Sequence, residues 1–272
     1  MTVGYTPGVT DGGTTVLPGW FLSVEGPDGA GKTSQVERLR QRALALGFDV
    51  VVTREPGGTA VGERIRDILL RSSGRERLDP RADALLFNAA RAQLVADVIR
   101  PALARGALVI STRFADSTLA YQGFGAGLQL DELRALEQVA TGGLKPQLTV
   151  LLDVDPVIGL ARKSDAEVTR FEADYDAAFH GRVRDGFRAL AAGEPARFAV
   201  IDASVGPDDV AAAVATAVAR VPGLERLRRA PSSGEDPLGP ARAMTGPGAA
   251  AAENERAAPT DEPRTVGGRI HG

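Results

Sequence analysis

The chain has 272 residues, 43% of them hydrophobic and 25% charged, and a net charge of −3, the balance of a globular protein that folds without staples. It has no cysteine and two histidines, His180 and His271, which excludes a thiol nucleophile, a disulfide scaffold, a zinc finger and an iron–sulfur cluster. The slightly acidic balance, the absence of an apolar run near the ~18 residues of a membrane span and the lack of a basic start before an apolar stretch predict no nucleic-acid partner, no membrane and a cytoplasmic protein.

Residues 1–18, rich in Thr, Gly and Val with two prolines, show no period and read as a flexible arm. The apolar run Trp20–Glu25 predicts a strand that ends at a glycine-rich turn. Lys32–Leu46 follows with helical spacing at Val36, Leu39, Ala43 and Leu46, and Gly47 is its stop. Val50–Thr53 reads as a second strand. Helical patterns cover 60–71 and 81–104, punctuated by Pro80 and Pro101. Ala107–Ser111 is the third strand, Leu148–Val154 the fourth and Phe198–Ile201 the fifth. Further helices are predicted at 131–140, 172–191 and 207–220. From 222 onward breakers abound and large apolar residues are few, the composition of a disordered tail. Apolar strands alternating with helices predict an α/β fold over 19–221, with a five-stranded parallel sheet in the middle of three layers. Ligands of such sheets sit at the carboxyl ends of the strands.

The segment Gly26-Pro27-Asp28-Gly29-Ala30-Gly31-Lys32-Thr33 fits GxxxxGK[ST], between a predicted strand and a predicted helix. The glycines let backbone N–H groups turn toward phosphate oxygens, and the helix N-terminus adds positive potential. Lys32 reaches the β- and γ-phosphates, and the Thr33 hydroxyl is placed to ligate Mg²⁺. Ser34 completes the nucleotide-binding set. A carboxylate beside phosphates, as at Asp28, needs a cation or a hydroxyl to hold.

The loop EGPDGAGKTSQ resembles the phosphate loop of thymidylate kinases. Thr53–Thr59 (TREPGGT), Leu86–Arg91 (LFNAAR), Val109–Gly123 (VISTRFADSTLAYQG) and Arg170-Phe171-Glu172 follow in that family's order. The resemblance covers about 19–221. It implies a P-loop NTPase fold with a short lid, and the reaction ATP + dTMP → ADP + dTDP with Mg²⁺ as cofactor, in dTTP biosynthesis. It also implies a homodimer. Phe87 would then stack on the pyrimidine, Arg91 donate to a base carbonyl and Thr118 face the base edge. Tyr121 would press against sugar C2′ and exclude a ribose hydroxyl. Gln122 and Glu172 belong to the same substrate-binding set, and Glu55 and Pro56 shape the wall of the monophosphate pocket. Arg113 would clamp the acceptor phosphate or the transferred group.

Residues 159–171 would form the lid over ATP, with Arg162, Lys163 and Arg170 as its cations. Some family members carry the catalytic arginine in the phosphate loop, where this chain has Gly29. The arginine should then come from the lid, and Arg162 is the first candidate. The chain departs from the family at Thr112 and Thr169, where aspartates are usual. Asp28 could compensate as a catalytic carboxylate near the metal, with Asp116 and Asp153 as further candidates. These losses leave two other readings beside an active dTMP kinase. One is a degenerate nucleotide-binding paralogue with a regulatory role. The other is a kinase for a modified deoxypyrimidine monophosphate.

Overall fold

Continuous apolar strands bury both faces only when helices cover a sheet on both sides, and the computed structural model of the chain has that arrangement. It describes residues 10–11, 14–15, 17–71, 78–162 and 175–228. Strands β1 (Trp20–Glu25), β2 (Val50–Arg54), β3 (Leu108–Thr112), β4 (Leu148–Asp153) and β5 (Phe198–Asp202) form one parallel sheet. Their order is β2-β3-β1-β4-β5. The chain turns to opposite sides of β1, so the crevice for a ligand opens at the carboxyl end of β1. The register brings that end together: Val24 lies beside Thr112 and Val150, and Arg54 beside Thr112.

The pleat sends alternate side chains to opposite layers. Leu22 and Val24 of β1 and Leu108 and Ile110 of β3 join α1 (Lys32–Ala45) and α9 (Pro207–Val218) in one apolar cluster. On the other face, Phe21 and Val109 meet the rod formed by α3 (Pro80–Leu94), a π turn (Val95–Ile99) and α4 (Arg100–Ala104). Leu151 and Phe198 meet a second π turn (Leu119–Gly125) and α8 (Ala177–Gly193). Between these come α2 (Ala60–Arg71), α5 (Ala115–Thr118), α6 (Leu130–Thr141) and α7 (Pro156–Ala161). No described helix is long and apolar enough to cross a membrane.

The structure keeps the helical run expected over 81–104 and departs from the sequence reading at two other places. Pro101 does not end the helical run. The π turn before it is wider, with the Arg100 N–H reaching the Val95 carbonyl, and gives the ring room where an α-helical carbonyl would clash. The helix expected from 172 begins at Ala177, where the Asp176 side chain accepts the Phe179 N–H at 2.8 Å. The packed chain also passes the boundary drawn at 221. Val221, Leu224 and Leu227 are buried, a 3₁₀ turn spans Glu225–Arg228, and Trp20 Nε1 donates to the Pro222 carbonyl at 2.8 Å. Within the expected N-terminal arm, Thr10–Asp11 and Thr14–Thr15 pair antiparallel. The rest of the expected tail, from 229, and lid residues 163–171 lie outside the described residues.

Candidate active site

The loop after β1 is shaped by its glycines. At Gly26, φ is 140° and a Cβ would collide with the Leu152 carbonyl, so only glycine lets the chain cross the end of β4. Gly31 caps α1 with φ 84°, without a side-chain cap and without an acidic residue in the first turn. The positive end of the helix is thus left for an anion. Lys32 Nζ donates to the carbonyls of Gly26 (2.9 Å) and Pro27 (2.7 Å). Thr33 is exposed to the cleft, and Ser34 Oγ closes the turn onto the Gly31 carbonyl at 2.9 Å.

Across the crevice stands Arg113, the one non-glycine among the described residues with positive φ, at 67°. Such a backbone costs about 1–3 kcal/mol and persists only where its surroundings hold it. Its Nη1 donates to the Gly26 carbonyl (3.2 Å) and Ser117 Oγ (3.0 Å). Its Nη2 donates to Asp28 Oδ1 (2.7 Å) and the Tyr121 hydroxyl (3.0 Å). Tyr121 in turn donates to Asp28 Oδ2 at 2.6 Å. The cation and hydroxyl that Asp28 requires are therefore both present. Burial opposes the charge on Arg113, but the Tyr121 oxygen and the carboxylates of Asp28 and Glu25 outweigh it and raise its pKa. Burial pushes the Tyr121 phenol well above its usual value, so it stays a donor. The ring is steadied edge-on by Phe179 and Phe187, each 6.2 Å away.

These groups line one side of a cleft of about 880 Å³, large enough for two small ligands. Glu55, Pro56, Leu70, Phe87, Thr118 and Gln122 line another part of it. Phe87 is half-buried. Arg91 is 1% exposed and stands behind this wall. Its Nε donates to Glu55 Oε2, its Nη1 to Asn88 Oδ1 and its Nη2 to Thr118 Oγ1, each at 2.9 Å. The bonds found for Arg91 thus position two wall residues, where the sequence suggested a direct base contact. Two cations of the wall, Arg54 and Arg66, were not among the sequence's site residues. Arg66 Nη1 donates to the Pro56 carbonyl at 2.8 Å, and burial together with Arg54 lowers its pKa. Arg54 pairs with Glu63 at 3.0 Å. Arg66 was legible: Glu63, Arg66 and Leu70 recur at helical spacing, on the face of α2 turned to the TREPGG loop.

A phosphate loop, a TREPGG wall and an arginine after β3 thus meet in one cleft. The family model for thymidylate kinase matches residues 24–214, more than half of the chain. The chain belongs to the thymidylate kinase family. It is 50% identical over 214 residues to a thymidylate kinase of Thermomicrobium roseum, covering 78% of this chain and 99% of that one. It is 50% identical over 201 residues to one of Deinococcus radiodurans, covering 74% and 96%. The solved thymidylate kinase of Ehrlichia chaffeensis is similar in fold, with a TM-score of 0.56 and 35% identity over 68% of this chain and 93% of that one.

Within this thymidylate kinase framework, the remaining candidates separate. Arg162 ends α7, and its Nη1 donates to the Ala203 carbonyl at 2.9 Å. It shares the wall of Ala203, Val205, Pro207 and Val210. Asp116 does not supply the charge missing at Thr112, because Arg197 holds both its oxygens at 2.7 and 2.8 Å. Asp153 is likewise held by Arg184 at 2.7 and 3.1 Å. Thr112 itself lines the cleft. Glu172 and the lid cations Lys163 and Arg170 lie outside the described residues.

Proposed function

We infer that ATP binds in the phosphate loop, that dTMP binds along α3, and that phosphoryl transfer occurs beside Arg113. The chain is a phosphotransferase of the thymidylate kinase family; it moves the γ-phosphoryl group of ATP to dTMP, and the products are ADP and dTDP. The observation that carries the residue assignment is the Arg113 bridge, which joins Asp28 in the nucleotide loop to Tyr121 on the acceptor side.

A phosphate oxygen of dTMP attacks the γ-phosphorus. The new P–O bond forms as the bond to the β-phosphate oxygen breaks, and ADP takes that electron pair. The attacking oxygen is already ionised at neutral pH, so alignment and charge neutralisation are the enzyme's tasks. Lys32 exchanges its two carbonyl partners for β- and γ-oxygens. Arg113 holds the acceptor phosphate or the group in transfer, with Arg54 and Arg66 adding charge at the same wall. Phe87 stacks on the base, worth about 1–3 kcal/mol. Thr118 and Gln122 face its edge, and Arg91 orients Thr118 from behind. The Tyr121 ring, anchored through its hydroxyl, leaves no room for a ribose hydroxyl. Arg162 serves the adenosine side of the cleft, and a phosphate-side lid cation is left to Lys163 or Arg170.

A magnesium ion fits this donor set. Thr33 and Asp28 both line the cleft, and no group of three or more His, Cys, Asp or Glu side chains forms a cage among the described residues. That suits a cation held mainly by substrate phosphates and water. Thr33 would hold it, since both Asp28 oxygens are already taken by Arg113 and Tyr121, and when bound it would neutralise phosphate charge. Exposed Val61, Ile68, Leu85 and Val139 on α2, α3 and α6 support docking of a second copy and hence a homodimer. We place the enzyme in the cytoplasm, where its nucleotides are.

The test is an ADP-release assay with ATP, magnesium and dTMP, run beside dUMP, dCMP and UMP. Fast turnover with dTMP and little with UMP is expected. Binding of ATP and dTMP by calorimetry without turnover would overturn the reading in favour of a regulatory paralogue, which no observation here favours.

A further inference from the structure

Glu25 closes the central strand one residue before the phosphate loop, is wholly buried and has no part in the transfer described above. Its two oxygens point at the other side of the site. Oε1 accepts the Phe114 N–H at 2.6 Å, and Oε2 accepts the Ser117 hydroxyl at 2.6 Å. Phe114 is the residue after Arg113, and Ser117 Oγ accepts Arg113 Nη1 at 3.0 Å. We propose that Glu25 is a positioning residue for phosphoryl transfer, fastening the backbone and the guanidinium of Arg113 to the strand that carries the phosphate loop. The inference rests on the reading of Arg113 as the phosphate clamp.

Three features support it. First, Arg113 holds a left-handed backbone, with φ 67°, that an L-residue abandons unless its neighbours prevent it. Its own N–H is bonded to the Val24 carbonyl at 3.0 Å and its carbonyl to Ser111 Oγ at 2.7 Å. Glu25 supplies the next restraint along the chain. Second, α5 is only four residues long (Ala115–Thr118) and has no side-chain cap. It cannot hold Ser117 in place by itself. Third, a buried acid is an expensive peg where a neutral group would serve. Two donors, one from the main chain and one from a hydroxyl, converge on Glu25, and a carboxyl matches both. Burial and the nearby charge of Asp116 raise its pKa to about 7. Either protonation state keeps an oxygen for the Phe114 N–H and a bond to Ser117. The Gln amide has the same shape and the same capacity.

The experiment compares wild type with Glu25→Ala, Glu25→Gln, Ser117→Ala, Arg113→Ala and the double variant Glu25→Ala/Arg113→Ala. It measures kcat, both KM values, ATP binding by calorimetry and the melting midpoint. Glu25→Ala should lower kcat at least about 10-fold with KM for ATP within about 2-fold, because the cradle itself is intact. Ser117→Ala should lower kcat by about 3- to 10-fold, and Glu25→Gln should regain at least about a third of wild-type kcat. Because Glu25 acts through Arg113, the double variant should be no slower than Arg113→Ala alone. Folded Glu25→Ala and Ser117→Ala proteins with kcat within about 2-fold of wild type would overturn the inference, as would losses that multiply with Arg113→Ala. If Glu25→Ala does not fold, Ser117→Ala and Glu25→Gln decide alone. If Arg113→Ala keeps wild-type kcat, the clamp reading falls. If Arg113→Ala is slow while the Glu25 and Ser117 variants are not, only the inference about Glu25 falls.

Discussion

Lys32 rests on two neutral carbonyls, at 2.9 and 2.7 Å, and nucleotide binding replaces them with charged phosphate oxygens, which make stronger bonds. Lys32→Ala is therefore expected to lower kcat by at least about 1,000-fold without unfolding the protein, read by the ADP-release assay and a melting curve. Phe87→Ala should act differently. It removes a stacking face worth about 1–3 kcal/mol, so KM for dTMP should rise by about 10- to 100-fold while KM for ATP stays level. Glu25 gives a pH dependence of stability. Its pKa rises from 4.5 unfolded to about 7 folded, through burial first and Asp116 second, opposed by Arg113, Ser117 and Phe114. A raised carboxyl stabilises the fold fully below the unfolded value, and that contribution is lost as pH rises through about 7. Glu25→Gln does not titrate. Relative to wild type, this variant should gain stability between about pH 4.5 and pH 7, by up to about 3 kcal/mol. Denaturant midpoints at the two pH values measure it, and equal differences would contradict a raised Glu25.

At the scale of elements, the phosphate loop and α7 interlock through two glycines. A Cβ on Gly29 would collide with the Gly159 carbonyl, and one on Gly159 with the Asp28 carbonyl. Neither obstacle is a flexible side-chain tip, so the backbones themselves would have to part. This is why position 29 cannot carry the loop arginine of other family members: the space belongs to α7. Gly159→Ala is expected to cost about 1–3 kcal/mol and to raise KM for ATP, because the loop must shift. A melting curve and an ATP titration check both. The seat of Tyr121 is built in the same way. A Cβ on Gly125 would press on Phe179 and one on Gly186 on Phe124, so glycines let α8 settle against the second π turn. The sequence showed helical spacing for α8 but gave no sign of that π turn, since a single wide turn has no period of its own.

Across the whole molecule, sites far apart in the chain are tied by buried polar pairs. Arg197, before β5, grips Asp116, after β3, and Thr149 Oγ1 of β4 joins them at 3.1 Å from Asp116. Arg197→Ala leaves a buried carboxylate without its partner and should cost about 3–5 kcal/mol by denaturant unfolding. The C-terminal edge gives a second test. Leu227 is fully buried in the cluster of α1 and α9, although composition placed it in a tail. Leu227→Ala should cost about 2–5 kcal/mol as a core residue, where a solvated tail position would cost nearly nothing. Local composition misread 222–228 because it counts breakers, whereas burial of Leu224 and Leu227 depends on which surface the chain meets.

The sequence by itself determined the α/β class, the five strands to within a residue, the phosphate loop and most of the cleft wall. Those features repeat with a fixed period or rest on residue types that chemistry leaves few ways to replace. Tertiary structure alone decided the partners. It placed Arg91 behind the wall, Arg162 beside Ala203, Asp116 under Arg197 and Glu25 beneath Arg113. The bonds that do so, Arg91 to Thr118, Arg162 to Ala203, Arg197 to Asp116 and Phe114 to Glu25, join residues 27 to 89 positions apart. No local pattern encodes such distances, because a side chain's partner is set by where the sheet delivers the other chain segment.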